Sequence, residues 1–171
     1  MKRHITIIAL AMLSLATTFS SCKKDNNQDQ PEAKKYIITY QLDNEFETIN
    51  PSTFEPYVFT LSPCFKANFT YLDANGQPVE MKDVELPWKT EITVTAPFTA
   101  KMEGALTYDE SELPEEVTYG VRGGISYKRT DGSAFNIDVN GGLSQNSKER
   151  FLEIMGNHPE RLKIDFTRKL E

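Results

Sequence analysis

An antiparallel, all-β sandwich with one short helix before the last strand is the fold class that this 171-residue sequence predicts. Three observations predict it. Apolar and polar residues alternate strictly in several segments, turn residues separate those segments, and one stretch near the C-terminus carries helical grammar instead.

Residues 36–42 and 57–61 are rich in apolar residues and read as strands. Next, Phe65, Ala67, Phe69 and Tyr71 share one face, with Lys66, Asn68 and Thr70 on the other, as a half-buried strand requires. Asp73-Ala74-Asn75-Gly76 closes a hairpin, because Asn and Gly supply the positive φ of a tight turn. Residues 79–86 return from it. Pro87 and Pro97 bracket a strand whose Ile92, Val94 and Ala96 point inward and whose Glu91, Thr93 and Thr95 point outward. Residues 98–108 and 117–127 read as two further strands, the second interrupted by Gly123-Gly124, which suggests a bulge or sharp bend. After an Asp131-Gly132-Ser133 turn, Phe135, Ile137 and Val139 are expected inside, opposite Asn136, Asp138 and Asn140. Residues 147–156 change period: Asn146 or Ser147 caps a helix, Phe151, Leu152, Ile154 and Met155 form its apolar stripe, and Gly156 stops it. A final strand sets Leu162, Ile164 and Phe166 against Lys163, Asp165 and Thr167. Roughly eight or nine strands of unequal length, with many prolines, favour an open sandwich over a closed barrel.

The N-terminus reads differently. Lys2 and Arg3 precede an apolar run over residues 5–16, which fits a secretory signal and falls short of the roughly 20 residues of a membrane span. Phe19-Ser20-Ser21-Cys22 resembles the lipobox of bacterial lipoproteins, with Phe in the place usually held by Leu, as in lipoproteins of the Bacteroidetes type. Lys23-Lys24-Asp25 resembles the export tag of that group. The resemblance implies that residues 1–21 are removed, that Cys22 carries palmitate and other acyl chains, and that the protein sits on the outer membrane, with cell-surface exposure open. Residues 22–35 hold no aromatic or β-branched residue and are expected to be a flexible tether, leaving 36–171 as the folded domain.

Residues 69–98, strand, Asn-Gly hairpin, strand, Leu86-Pro87-Trp88 and strand, resemble the core of the small immunoglobulin-like sandwich of MmpS-type envelope proteins. That resemblance implies an immunoglobulin-like fold and an accessory role beside an envelope lipid transporter.

Charge narrows the partners. Without residues 1–21 the chain has 17 basic and 25 acidic residues, a balance of −8. An acidic surface excludes a phosphate backbone as partner, so no nucleic acid is expected. One histidine, His158, and one cysteine, Cys64, remain after Cys22, too few for zinc and without a nucleophile elbow to serve a triad. Cys64 reads as a buried, inert thiol. Asp109, Glu110, Glu112, Glu115 and Glu116 offer oxygen ligands for calcium or carboxylates for sugar hydrolysis, but without the spacing of either, and a solvated loop is the plainer reading. Trp88, Tyr108, Tyr119 and Tyr127 are candidates for a ligand-stacking platform, and equally for strand packing. The expectation is of a protein that is not an enzyme and uses no cofactor or metal. Its membrane contact is a lipid anchor, and its sandwich binds an envelope protein or a glycan. Two alternatives stand beside this: an accessory of a lipid transporter, and a carboxylate-dependent glycan hydrolase.

Overall fold

Alternating side chains become two layers of sheet. The computed structural model describes residues 33–171; the signal segment, Cys22 and nearly all of the tether lie outside the described residues. In chain order the strands are β1 (Lys35–Leu42), β2 (Glu45–Ile49), β3 (Pro56–Thr60), β4 (Phe65–Leu72), β5 (Pro78–Val84), β6 (Trp88–Thr95), β7 (Phe98–Tyr108), β8 (Glu116–Tyr119), β9 (Arg122–Arg129), β10 (Phe135–Asn136), β11 (Asn140–Gly141) and β12 (Ser144–Ser147). Helix α1 (Lys148–Asn157) and β13 (Lys163–Leu170) close the chain.

One sheet runs β10-β9-β1-β6, with β11 also on β9, and the other runs β13-β7-β4-β5. All their pairings are antiparallel. Between the layers lie Ile38, Tyr40 and Leu42 of β1, Phe65, Ala67 and Phe69 of β4, Ala100 and Met102 of β7, and Ile164 of β13. These are the positions that period-two alternation assigns to the inside. The fold is the expected all-β sandwich with a short helix before its last strand. Tyr40 is wholly buried, and its hydroxyl donates to the Leu72 carbonyl at 2.8 Å, linking the two layers.

Helix α1 covers one end of the sandwich. Ser147 caps it, its hydroxyl accepting from the Arg150 N–H at 3.4 Å. Phe151, fully buried, stands edge-on to Phe65, Tyr108 and Tyr119, with ring centroids 5.8, 5.0 and 4.9 Å away.

Five details depart from the sequence reading. Residues 117–127 are two strands rather than one, because Gly120, at φ 132°, turns the chain between β8 and β9. Gly123 and Gly124 lie in an unbroken ladder with Leu42 and Gln41, not in a bulge. They are glycines because a Cβ would meet the Gln41 carbonyl oxygen at 2.3 Å and that of Asp138 at 1.9 Å. The bulge is instead on β4–β5 between Ala67 and Phe69. Gly156 lies inside α1, which runs one residue further before the cap at His158.

The largest departure is the segment after β9. Phe135 and Ile137 point outward, 75% and 78% exposed, while Asn136 and Asp138 turn in. The reversal covers residues 135–138 alone, since Val139 is half-buried and Asn140 exposed as the alternation predicts. What selects this register is Arg168, at an inward position of β13, which ion-pairs with Asp138 and donates to Asn136 Oδ1 at 3.3 Å. Burying an unpaired guanidinium costs more than exposing two apolar side chains.

Candidate functional site

The four aromatic candidates do not form one platform. Trp88, at the start of β6, is half-buried and packs edge-on to Phe69 across the layers, 4.7 Å between centroids, with Tyr71 at 5.5 Å. Tyr71 continues to Tyr40 at 5.2 Å, so Trp88 ends an aromatic row through the core. Tyr108 and Tyr119 are brought together, but around Phe151, and Tyr119 is fully buried with its hydroxyl accepting from Asn146 at 3.1 Å. Burial pushes the Tyr108 phenol above its ordinary value, with help from the nearby Glu110 carboxylate. Tyr127 lies elsewhere, edge-on to Tyr36 at 5.6 Å.

The acidic loop is a capped turn. Asp109 accepts from the Ser111 N–H at 2.8 Å and from its hydroxyl at 2.6 Å, which hold the Asp109 carboxyl below the usual carboxylate range. All five of its carboxylates are exposed, and no three His, Cys, Asp or Glu side chains converge on a metal-sized point among the described residues. Cys64 is buried, and that burial pushes its thiol above the ordinary value, away from nucleophilic use. His158 is exposed beside Glu160, with Nδ1 3.1 Å from Oε1.

The bulge on β5 has a local cause. Asp83 takes φ 50°, and Asn68 steadies it: its Oδ1 accepts the Asp83 N–H at 2.7 Å while its Nδ2 donates to Thr107 at 3.0 Å. With Glu80, Lys82, Glu103 and Gly104, Asn68 and Asp83 line a shallow polar cleft on the outer face of the sheet.

The surface that the sequence reading passed over is the β2–β3 hairpin. Its base is seated on the core through Phe46 and Phe59, with the Arg122 guanidinium 4.8 Å above the Phe46 ring. Its tip carries Ile49, Phe54, Tyr57 and Val58 into solvent, Phe54 at 81% exposure. The signal was there: Glu45-Phe46-Glu47-Thr48-Ile49 alternates, and Asn50-Pro51-Ser52 is a turn sequence. This apolar tip and the Phe135–Ile137 edge are the exposed large apolar groups of the described residues, and both are geometries for contact with another molecule rather than for a reaction.

No helix among the described residues is long and apolar enough to cross a membrane. A family model described as Mycobacterium membrane protein matches residues 5–112, more than half of the chain. No curated protein matches it.

Proposed function

The chain belongs to the Mycobacterium membrane protein family, and from that premise we propose that it is a non-catalytic accessory of an envelope lipid transporter. In this role the sandwich is an interaction module, and its partner is the transporter's membrane protein rather than a glycan. The family match is the observation that carries the reading. It includes β1 to β7, hence the whole β4–β5–β6 stretch that resembles MmpS-type sandwiches.

The anchor belongs to the same proposal. Cys22 carries palmitate and the accompanying lipid, and residues 23–35 serve as the tether between the outer membrane and the domain, although Lys35 already pairs with Thr95 as the first residue of β1. Two or more acyl chains hold a protein stably, where one holds only marginally. The glycan reading has less support, since Trp88 presents its ring to Phe69 and Tyr71.

Deleting the gene and profiling envelope lipids tests the role. The expected result is loss or internal retention of one lipid class, restored by the wild-type gene and not by Cys22→Ala. An unchanged lipid profile would contradict the reading. Labelled palmitate is expected in the wild type and absent from Cys22→Ala.

A further inference from the structure

Phe54 sits at φ 59°. For a bulky side chain this left-handed conformation is a strained outlier. Its ring gains no burial in return. The turn is nonetheless well tied. The Asn50 carbonyl accepts the Phe54 N–H at 2.8 Å, the Asn50 N–H donates to Glu55 at 2.9 Å, and the Asn50 side chain accepts from Ser52 at 2.9 Å. Strain is thus held in place to keep an aromatic ring in water, next to exposed Ile49, Tyr57 and Val58.

The charge that the hairpin's own residues carry is of one sign, with Arg122 of β9 beneath its base. No Lys or Arg occurs from residue 36 to residue 65, whereas Asp43, Glu45, Glu47 and Glu55 do. Glu45, Glu47 and Glu55 enter no ion pair among the described residues. On the ribbon, Glu47 faces Val58 and lies on the same side as Ile49.

The second exposed apolar group is complementary. Phe135 pairs across the ladder with Lys128, and Lys128 pairs on its other side with Ile37, making a row of apolar, cationic and apolar groups over three strands. Lys128 is exposed and enters no ion pair among the described residues. Ile137 extends the row along an edge whose strand pairs for only two residues. The two surfaces lie at opposite ends of β9: Asp43 bonds to Arg122 at one end, and Phe135 meets Lys128 near the other, about 20 Å away at the rise of a strand.

We propose that the β2–β3 hairpin of one copy docks on the β10 edge of a second copy. Phe54 and Ile49 cover Phe135 and Ile137, while Glu47 and Glu55 approach Lys128. The contact is head-to-tail, because hairpin against hairpin would set carboxylates against carboxylates, and edge against edge would set Lys128 against Lys128.

Sedimentation velocity of the unlipidated Cys22→Ala chain, over a series up to about millimolar, tests this. The sedimentation coefficient is expected to rise with concentration and to fall with added salt. Phe54→Gly, in which glycine accepts the positive φ freely, is expected to melt no lower than its parent while associating at least about tenfold more weakly. A charge swap supplies the second arm. The double variant Glu47→Lys, Glu55→Lys and the single variant Lys128→Glu are each expected to be monomeric alone and to associate when mixed. A chain that sediments as a monomer throughout the series, or association untouched by Phe54→Gly, or a mixture that stays monomeric, would overturn the proposal.

Discussion

Tyr40 does two things at once. Its ring fills the centre of the sandwich, and its hydroxyl ties β1 to the carbonyl of Leu72 in the facing sheet. Burial, the main cause, pushes its phenol up to about 12. Because the folded value is raised, the associated stability is present below the ordinary tyrosine range and is lost as pH climbs through about 10 toward 12. Tyr40→Phe is expected to cost about 1 kcal/mol by denaturant titration at neutral pH and to make alkaline unfolding less steep. Phe151 is the other residue on which much depends, since three rings lean on it. Phe151→Ala is expected to cost about 3–5 kcal/mol, with α1 losing amide protection before the sheets do. Gly104 stands where a Cβ would meet the Asn68 carbonyl at 2.2 Å and the Phe69 Cα at 2.5 Å, both backbone atoms. Gly104→Ala should therefore lower the melting temperature clearly, where the same change at open Gly156 should not.

Among the elements, legibility in the sequence tracks which forces act locally. The β4, β6 and β13 alternations were readable because each strand is amphipathic on its own, and the Asp73–Gly76 turn because its chemistry lies within five residues. Asp73 accepts from the N–H groups of Asn75 and Gln77 at 2.8 Å each, and these bonds, led by Gln77, hold its carboxyl below the usual value. A depressed folded value means stability present at neutral pH and lost as pH falls through it, so the amides of residues 75–77 should lose protection relative to their intrinsic exchange rates in acid, with Asp73→Asn doing the same at neutral pH. The β10 segment could not be read from its own pattern. Its facing is decided by Arg168, thirty residues later, whose inward position only the folded layers reveal. Arg168→Met should remove that constraint, at a cost of about 2 kcal/mol for the unpaired Asp138, with Phe135 and Ile137 becoming protected if the segment flips. Of the β2–β3 hairpin, β3 was read as the strand 57–61 while β2 and the exposed tip were missed, for a related reason: the tip is apolar without being inside, so no rule that equates apolar with core assigns it a place. The aromatic site candidates were legible as aromatics and not as a site, because sequence spacing does not say that Tyr119 faces Phe151 and Tyr127 faces Tyr36.

At the scale of the molecule both ends of the sandwich carry mixed charge. Lys34, Lys35, Lys128 and Arg129 lie where β1 begins, with Asp131 paired to Arg129, while Asp43, Glu45 and Glu47 lie where β1 ends, with Arg122 beside Asp43. The described residues lead into β1 at Lys35, whereas the β2–β3 hairpin follows its far end at Leu42. In the proposed function, the sandwich is a tethered interaction module and its setting is an envelope lipid transporter. The most direct measurement is purification of the native, lipidated protein from detergent-solubilised envelopes of its own cells, followed by identification of what accompanies it. The account predicts a lipid-transporter membrane subunit in constant proportion, retained at low salt and depleted by Cys22→Ala. Recovery of the acylated protein with no transporter subunit, at any salt, would contradict it.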